Sequence, residues 1–160
     1  MQPTQNPPAD LDVTPADVLR CAARYLHRHG FHQGDMFAST TILTPPACAQ
    51  GAVKMAICGN PYANYTLGQA ALFDLTMTVL AEHLGMPCYW DTDPFMDKEP
   101  ATAAEWVADW NDDRDRTAEQ VITAMTATAN DWDHIRLVIT SLAISAADDP
   151  DGDRTQDGAQ

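Results

Sequence analysis

Cys48 is the residue of this sequence whose type and position best suit covalent chemistry. It lies in an expected helix over 45–58, within the first turn. The positive end of a helix lowers a thiol pKa, and a thiolate with an imidazole in reach is a nucleophile. Cys48 with His83, one of five histidines, therefore defines one hypothesis, a cysteine-dependent hydrolase or transferase. Cysteine is also commonly buried as a small hydrophobe, and the sequence shows no proximity between the two side chains.

A second group of side chains that could do chemistry is the H-x-H-x-x-H cluster of His27, His29 and His32. Its density is typical of a transition-metal site, but residues two apart on a helix point to different faces. Histidines near a helix C-terminus are also favourable in their own right. The acidic segment 91–99 lacks the glycine and the glutamate spacing of a calcium loop. We therefore expect no bound metal and no cofactor.

The turn between two expected helices, residues 110–117, concentrates side chains that could recognise a partner: Trp110, Asn111, Asp112, Arg114 and Arg116. A left-handed end of the first helix at Asn111, a cap at Thr117 and ion pairs of the arginines explain these residues without any activity. The functional interpretation makes the same turn an exposed recognition site. The sequence leaves both interpretations open.

Capping residues and helix breakers predict where the elements lie. Thr14 with Pro15 begins the first helix, and Gly30 ends it. Capping boxes start three more helices at Thr66, Thr102 and Thr117. The last of these helices is expected to end near Asn130, and a further element follows over 132–147.

The segment Leu67–Leu84 is apolar around most of its circumference, so we expect it to be the buried central helix. Segment 132–147 fits a helix face, yet its Ile, Val and Thr content also suits a strand that would pair with 36–43. The predicted fold class is mainly α: a compact orthogonal bundle of about five to six helices around a buried central helix, with a small two-stranded β element as the alternative.

Composition and charge limit the domain organisation and the classes of function. The 160 residues predict one helical domain over 14–147, between a flexible arm (1–13) and a disordered acidic tail (148–160). The net charge is −14, from 23 acidic and 9 basic residues, which disfavours nucleic acid and anionic membrane and favours a basic protein partner. No secretory signal is visible, and the four cysteines have no short paired spacing. We therefore expect reduced thiols and a cytoplasmic protein.

Several short motifs resemble a small uncharacterised family of high-GC Gram-positive bacteria and their phages. The likeness spans 17–129 and rests on the segments Ala16–Arg28, Gln33-Gly34, CAQGAV at 48–53, Trp110-Asn111-Asp112, and RTAEQVI at 116–122. The family has no known function, so the resemblance implies a cytosolic, phage-encoded domain and no reaction.

The charge asymmetry and the absence of catalytic motifs favour a non-enzymatic interaction or regulatory protein. It would bind a protein partner, basic in character, or a second copy of itself as a homodimer. The enzyme that uses Cys48 with a histidine is the alternative, and the sequence does not decide between them.

Overall fold

The structure is a computed structural model that describes residues 13–86 and 102–147. Within these ranges it has five helices and no strand. The helices are α1 (Pro15–His29), α2 (Ala49–Cys58), α3 (Leu67–His83), α4 (Ala103–Asn111) and α5 (Ala118–Ala147). The predicted mainly α class is confirmed, and no described helix is long and apolar enough to cross a membrane.

The predicted capping boxes are present where the sequence places them. The Thr66 and Thr102 hydroxyls each accept a hydrogen bond from the backbone amide of the third residue of their helix, whose side chain accepts one from the threonine amide. Thr14, predicted as a simple cap, forms the same box with Asp17. Thr117 and Gln120 exchange the same two bonds before α5. These contacts close within four residues, so the sequence alone is sufficient to define them.

The helix with the largest number of buried residues is α1, so the prediction that Leu67–Leu84 forms a buried central helix is wrong. Seven of the 15 residues of α1 are buried, and α1 packs against α2, α3 and α5. Only four of the 17 residues of α3 are buried. Leu67 of α3 is 90% exposed, and Leu75 is exposed as well. Apolar content around a helix shows that burial is favourable, but it does not show how many neighbours the helix has.

The segment that the sequence left ambiguous, 132–147, is helical and continuous with the helix before it. The predicted end at Asn130 is wrong: α5 runs unbroken for 30 residues. Asn130 stays helical, and its side-chain oxygen accepts a hydrogen bond from Arg20 of α1 at 3.0 Å. No glycine or proline occurs between 118 and 147, so nothing in the backbone chemistry stops the helix.

The loop between α1 and α2 has isolated bridges in place of the predicted strand 36–43. Phe31 and Phe37 each form a bridge with Ala47. The Ala47 amide donates to the Gly30 carbonyl, and the Ala47 carbonyl accepts from the His32 amide. These bonds hold 45–47 outside the helix, so α2 begins at Ala49 and not at Pro45.

Tight packing fixes this loop on α2. A Cβ atom at Gly51 would overlap the carbonyl oxygen of Met36, so the helix and the loop approach as closely as they do only because Gly51 has no side chain. The predicted arm and acidic tail lie outside the described residues, except for Val13, and so does segment 91–99.

Candidate protein-interaction surface

One line of residues runs along the whole of α5 and becomes exposed halfway. It has the alternating three- and four-residue spacing of a heptad seam and consists of Val121, Met125, Thr128, Trp132, Ile135, Ile139 and Leu142. We call this line the α5 seam. Its first three members are buried, and the fourth is half-buried. Its last three are 54%, 60% and 65% exposed.

The exposed half of the seam lies where the bundle ends. Arg20 of α1 donates to Asp133 at 2.7 Å, and every residue from 134 to 145 is exposed. Leu137, Val138 and Ile144 add further apolar surface to this part of the helix. The same spacing that buries α5 in its own bundle therefore continues onto the exposed part of the helix.

A cleft of about 360 Å³ between α3 and α5 lies at the base of the exposed half. Its apolar lining comes from Val79, Trp132 and Ile135. His83 and Asp131 also line it, and the His83 Nδ1 lies 3.0 Å from the Asp131 carboxylate. Ile135 belongs to both the seam and the cleft, so the two form one continuous surface.

Cys48 does not have the electrostatic environment that the sequence predicted. It is the N-cap of α2, it is buried, and its Sγ accepts from the Gly51 amide at 3.5 Å. Burial raises the pKa of the Cys48 thiol, despite the opposing hydrogen bonds from backbone amides. The expected lowering of the pKa is therefore wrong, because loss of water outweighs the helix terminus.

The proposed partner of Cys48 is engaged elsewhere. His83 lies at the end of α3, where its ring pairs with Asp131 of α5. In the part of the chain that the structure describes, no hydrogen bond joins the Cys48 thiol to an imidazole. Catalysis by Cys48 stays a prediction without a contact to support it.

Asn111 of the predicted recognition turn is a buried connector. Its Oδ1 accepts from the Ala49 amide, the first of α2, at 2.9 Å. Its Nδ2 donates to the Asp112 carboxylate at 2.8 Å and lies 3.5 Å from the His32 carbonyl oxygen. One side chain thus joins the end of α4, the start of α2 and the loop that precedes α2. The left-handed helix end expected at Asn111 is absent, since Asn111 is helical and Asp112 follows with a φ of −88°.

The rest of the turn is held by the loop after α1 and by its own arginine. Gln33 donates to the carbonyl oxygens of Asn111 and Asp113, and the Gly34 amide donates to Asp112 at 3.0 Å. Arg116 donates to the Trp110 carbonyl at 3.0 Å.

The Arg116 guanidinium also stacks 4.1 Å from the centre of the Trp110 ring. Arg114 is exposed. Most polar groups of the turn therefore serve the fold, and recognition of a partner through it stays a prediction.

The three clustered histidines do not converge. His29 stacks on Tyr25 with ring centroids 4.6 Å apart, while His27 is exposed and lies beside Arg20 and Arg24. Within 13–86 and 102–147, no three His, Cys, Asp or Glu side chains are grouped so that they could hold a metal ion.

The α5 seam is the surface that sequence reasoning missed. Its signal was present in the alternating spacing across Asn130, but the expected helix end there divided it into two segments.

Comparison with known proteins places the chain in a family. No curated protein matches it, and no solved structure matches it. Residues 10–131 match the family of unknown function DUF6197, which confirms the resemblance to a small uncharacterised family. The match ends before the exposed half of α5. Because it covers most of the sequence, the chain belongs to the DUF6197 family.

Proposed function

We propose that this protein is a non-enzymatic interaction module that binds a helix of a protein partner along the exposed half of the α5 seam. The observation that carries this proposal is the exposure of Ile135, Ile139 and Leu142 on a helix whose equivalent earlier positions are buried. A heptad seam is completed by side chains from a facing helix, and exposed apolar patches of this kind typically mark interaction sites.

The energetics favour a complex that uses more than the three seam residues. Complete burial of one Leu, Ile or Val side chain contributes ~1.5–3 kcal/mol, and these side chains are already about half covered. The three exposed seam residues together with Val138 thus contribute roughly 3–6 kcal/mol. This is near the lower limit of the cost of association, about 4 kcal/mol or more. A stable complex therefore needs the adjoining cleft between α3 and α5 as well.

Charge influences the choice of partner but not the contact itself. Arg136 is the only Asp, Glu, Lys or Arg between 134 and 147, so the contact is made by apolar burial. The chain as a whole carries −14, and its field attracts a basic partner over a distance. A regulatory role in the cytoplasm, phage-encoded as the family resemblance implies, belongs to this proposal.

Site-specific photo-crosslinking in the protein's own cells tests this proposal. The photoreactive residue p-benzoylphenylalanine replaces Ile139 on the seam or, as the matched control, exposed Thr140 on another face of the same helix. We expect a protein adduct from position 139 that disappears when Leu142→Asp is added, and no such adduct from position 140. Equal adducts at both positions, or none at either, contradict the proposal.

A further inference from the structure

We infer that the helix which covers the seam is α5 of a second copy of this chain, packed antiparallel across a twofold axis between Ile139 and Leu142. This inference rests on the proposed function and names its partner. In antiparallel heptad pairing, the residues after the three-residue step face those after the four-residue step of the other helix. Ile139 of each copy then contacts Leu142 of the other, and Ile135 contacts the end of the facing helix.

The residue pattern of the exposed half of α5 suits a contact with a second copy of itself. A twofold contact requires that each residue meets its counterpart in both directions. The seam offers two residues of similar volume, Ile139 and Leu142, at the positions next to the axis, and they are 60% and 65% exposed. No other chain has to supply a matching pattern.

The distribution of charge also favours this contact. Two copies of a protein with a net charge of −14 repel each other across most of their surfaces. Residues 134–147 contain no carboxylate and one arginine, Arg136. The exposed half of α5 is therefore a surface on which two acidic copies can meet without placing carboxylates of that helix against each other.

The cleft adds buried surface to the contact, because two antiparallel helix ends alone bury too little. A stable interface buries about 800 Å² on each partner, and residues 134–147 form only about 20 Å of helix at 1.5 Å per residue. With the axis between Ile139 and Leu142, the end of the second α5 lies beside Ile135, which also lines the cleft with Val79 and Trp132. Each helix end thus reaches the edge of the cleft of the other copy, at Ile135.

Sedimentation equilibrium of the full chain over a range of concentrations tests the self-association. We expect a reversible shift from 17.5 kDa to twice that mass. Leu142→Asp should raise the dissociation constant at least ~30-fold, because it places an unpaired charge in the contact. Thr140→Asp adds the same charge on another face and should leave the constant nearly unchanged. Circular dichroism confirms that both variants remain helical.

Salt and engineered cysteines test the chemistry and the direction of the contact. Self-association of like-charged copies should strengthen as salt rises, whereas binding of a basic partner should weaken. Under oxidation, a mixture of I139C and L142C should form the mixed disulfide-linked dimer more readily than either variant alone, as the antiparallel arrangement requires.

Each outcome has a definite meaning. A chain that stays at 17.5 kDa at all concentrations, or a dimer unaffected by Leu142→Asp, overturns the inference. If the chain remains monomeric while Ile139 crosslinks to a different protein, the proposed function stands and only the second copy is excluded. Preferential crosslinking of I139C alone contradicts the antiparallel arrangement.

Discussion

Replacement of Asn111 by alanine should destabilise the fold by about 2–4 kcal/mol. The substitution leaves the Ala49 amide buried without the acceptor that now lies 2.9 Å away, which costs ~1–3 kcal/mol. The bond to Asp112 is lost as well, and the truncated side chain leaves a small void in a buried position. The combined loss is a large part of the ~5–15 kcal/mol that holds a typical protein folded. Urea denaturation followed by circular dichroism measures it.

Two further variants determine whether the acceptor or the volume matters. Asp112→Ala removes an exposed neighbour in the same network and should cost no more than ~1 kcal/mol. Asn111→Asp keeps an acceptor for Ala49 but places a carboxylate against Asp112, so burial and like charge should raise its pKa in the folded protein. That variant should be more stable in acid and lose stability as the pH rises from the ordinary range of a carboxyl group to the raised pKa of the folded protein. A loss below 1 kcal/mol in Asn111→Ala would refute the idea that this side chain connects the two helices.

Two other parts of the fold give predictions that can be measured independently. Gly51→Ala should destabilise by more than ~2 kcal/mol, because the new methyl group overlaps a backbone carbonyl in the core. Gly68→Ala, in open space on α3, should stabilise by up to ~1 kcal/mol. Thermal unfolding measures the change in stability of each variant, and equal changes in the two variants would contradict the packing described at Gly51. Iodoacetamide should label Cys48 more slowly than the less buried Cys21 and Cys58, because burial both covers its thiol and raises its pKa. Peptide mass mapping after short labelling measures the order in which the three thiols react. Urea should make the three rates equal. Fastest labelling of Cys48 would favour the enzyme hypothesis.

The sequence predicted the features whose hydrogen bonds close within a few residues. The cap at Thr14, the boxes at Thr66 and Thr102 and the end of α2 at Gly59 were of this kind. The mainly α class followed from them. The family motifs also pointed to real structure, because Gln33 and the segment that follows Trp110 contact each other although 78 positions separate Gln33 from Asn111.

The errors share one physical cause, which is that burial and long-range partners are not local properties. Asparagine is common at helix ends, yet Asn130 lies inside α5, where its side chain accepts a hydrogen bond from Arg20 of α1. The Cys48 pKa depends on how much water reaches the thiol, which the helix terminus alone does not determine. Leu67 and Ile139 have similar hydrophobicity to buried residues, but both are exposed. Which apolar residues lack neighbours could be seen only once the helices were placed.

The unbroken course of α5 makes it a stiff lever about 45 Å long, at 1.5 Å for each of its 30 residues. Its N-terminal half is anchored in the bundle, and its C-terminal half extends beyond the bundle without a glycine or proline that could serve as a hinge. A partner bound to the C-terminal half is therefore held at a fixed angle and distance from the bundle. A force applied to the C-terminal half would be transmitted along α5 to the buried Val121 and Met125, because no flexible joint separates the two halves of the helix.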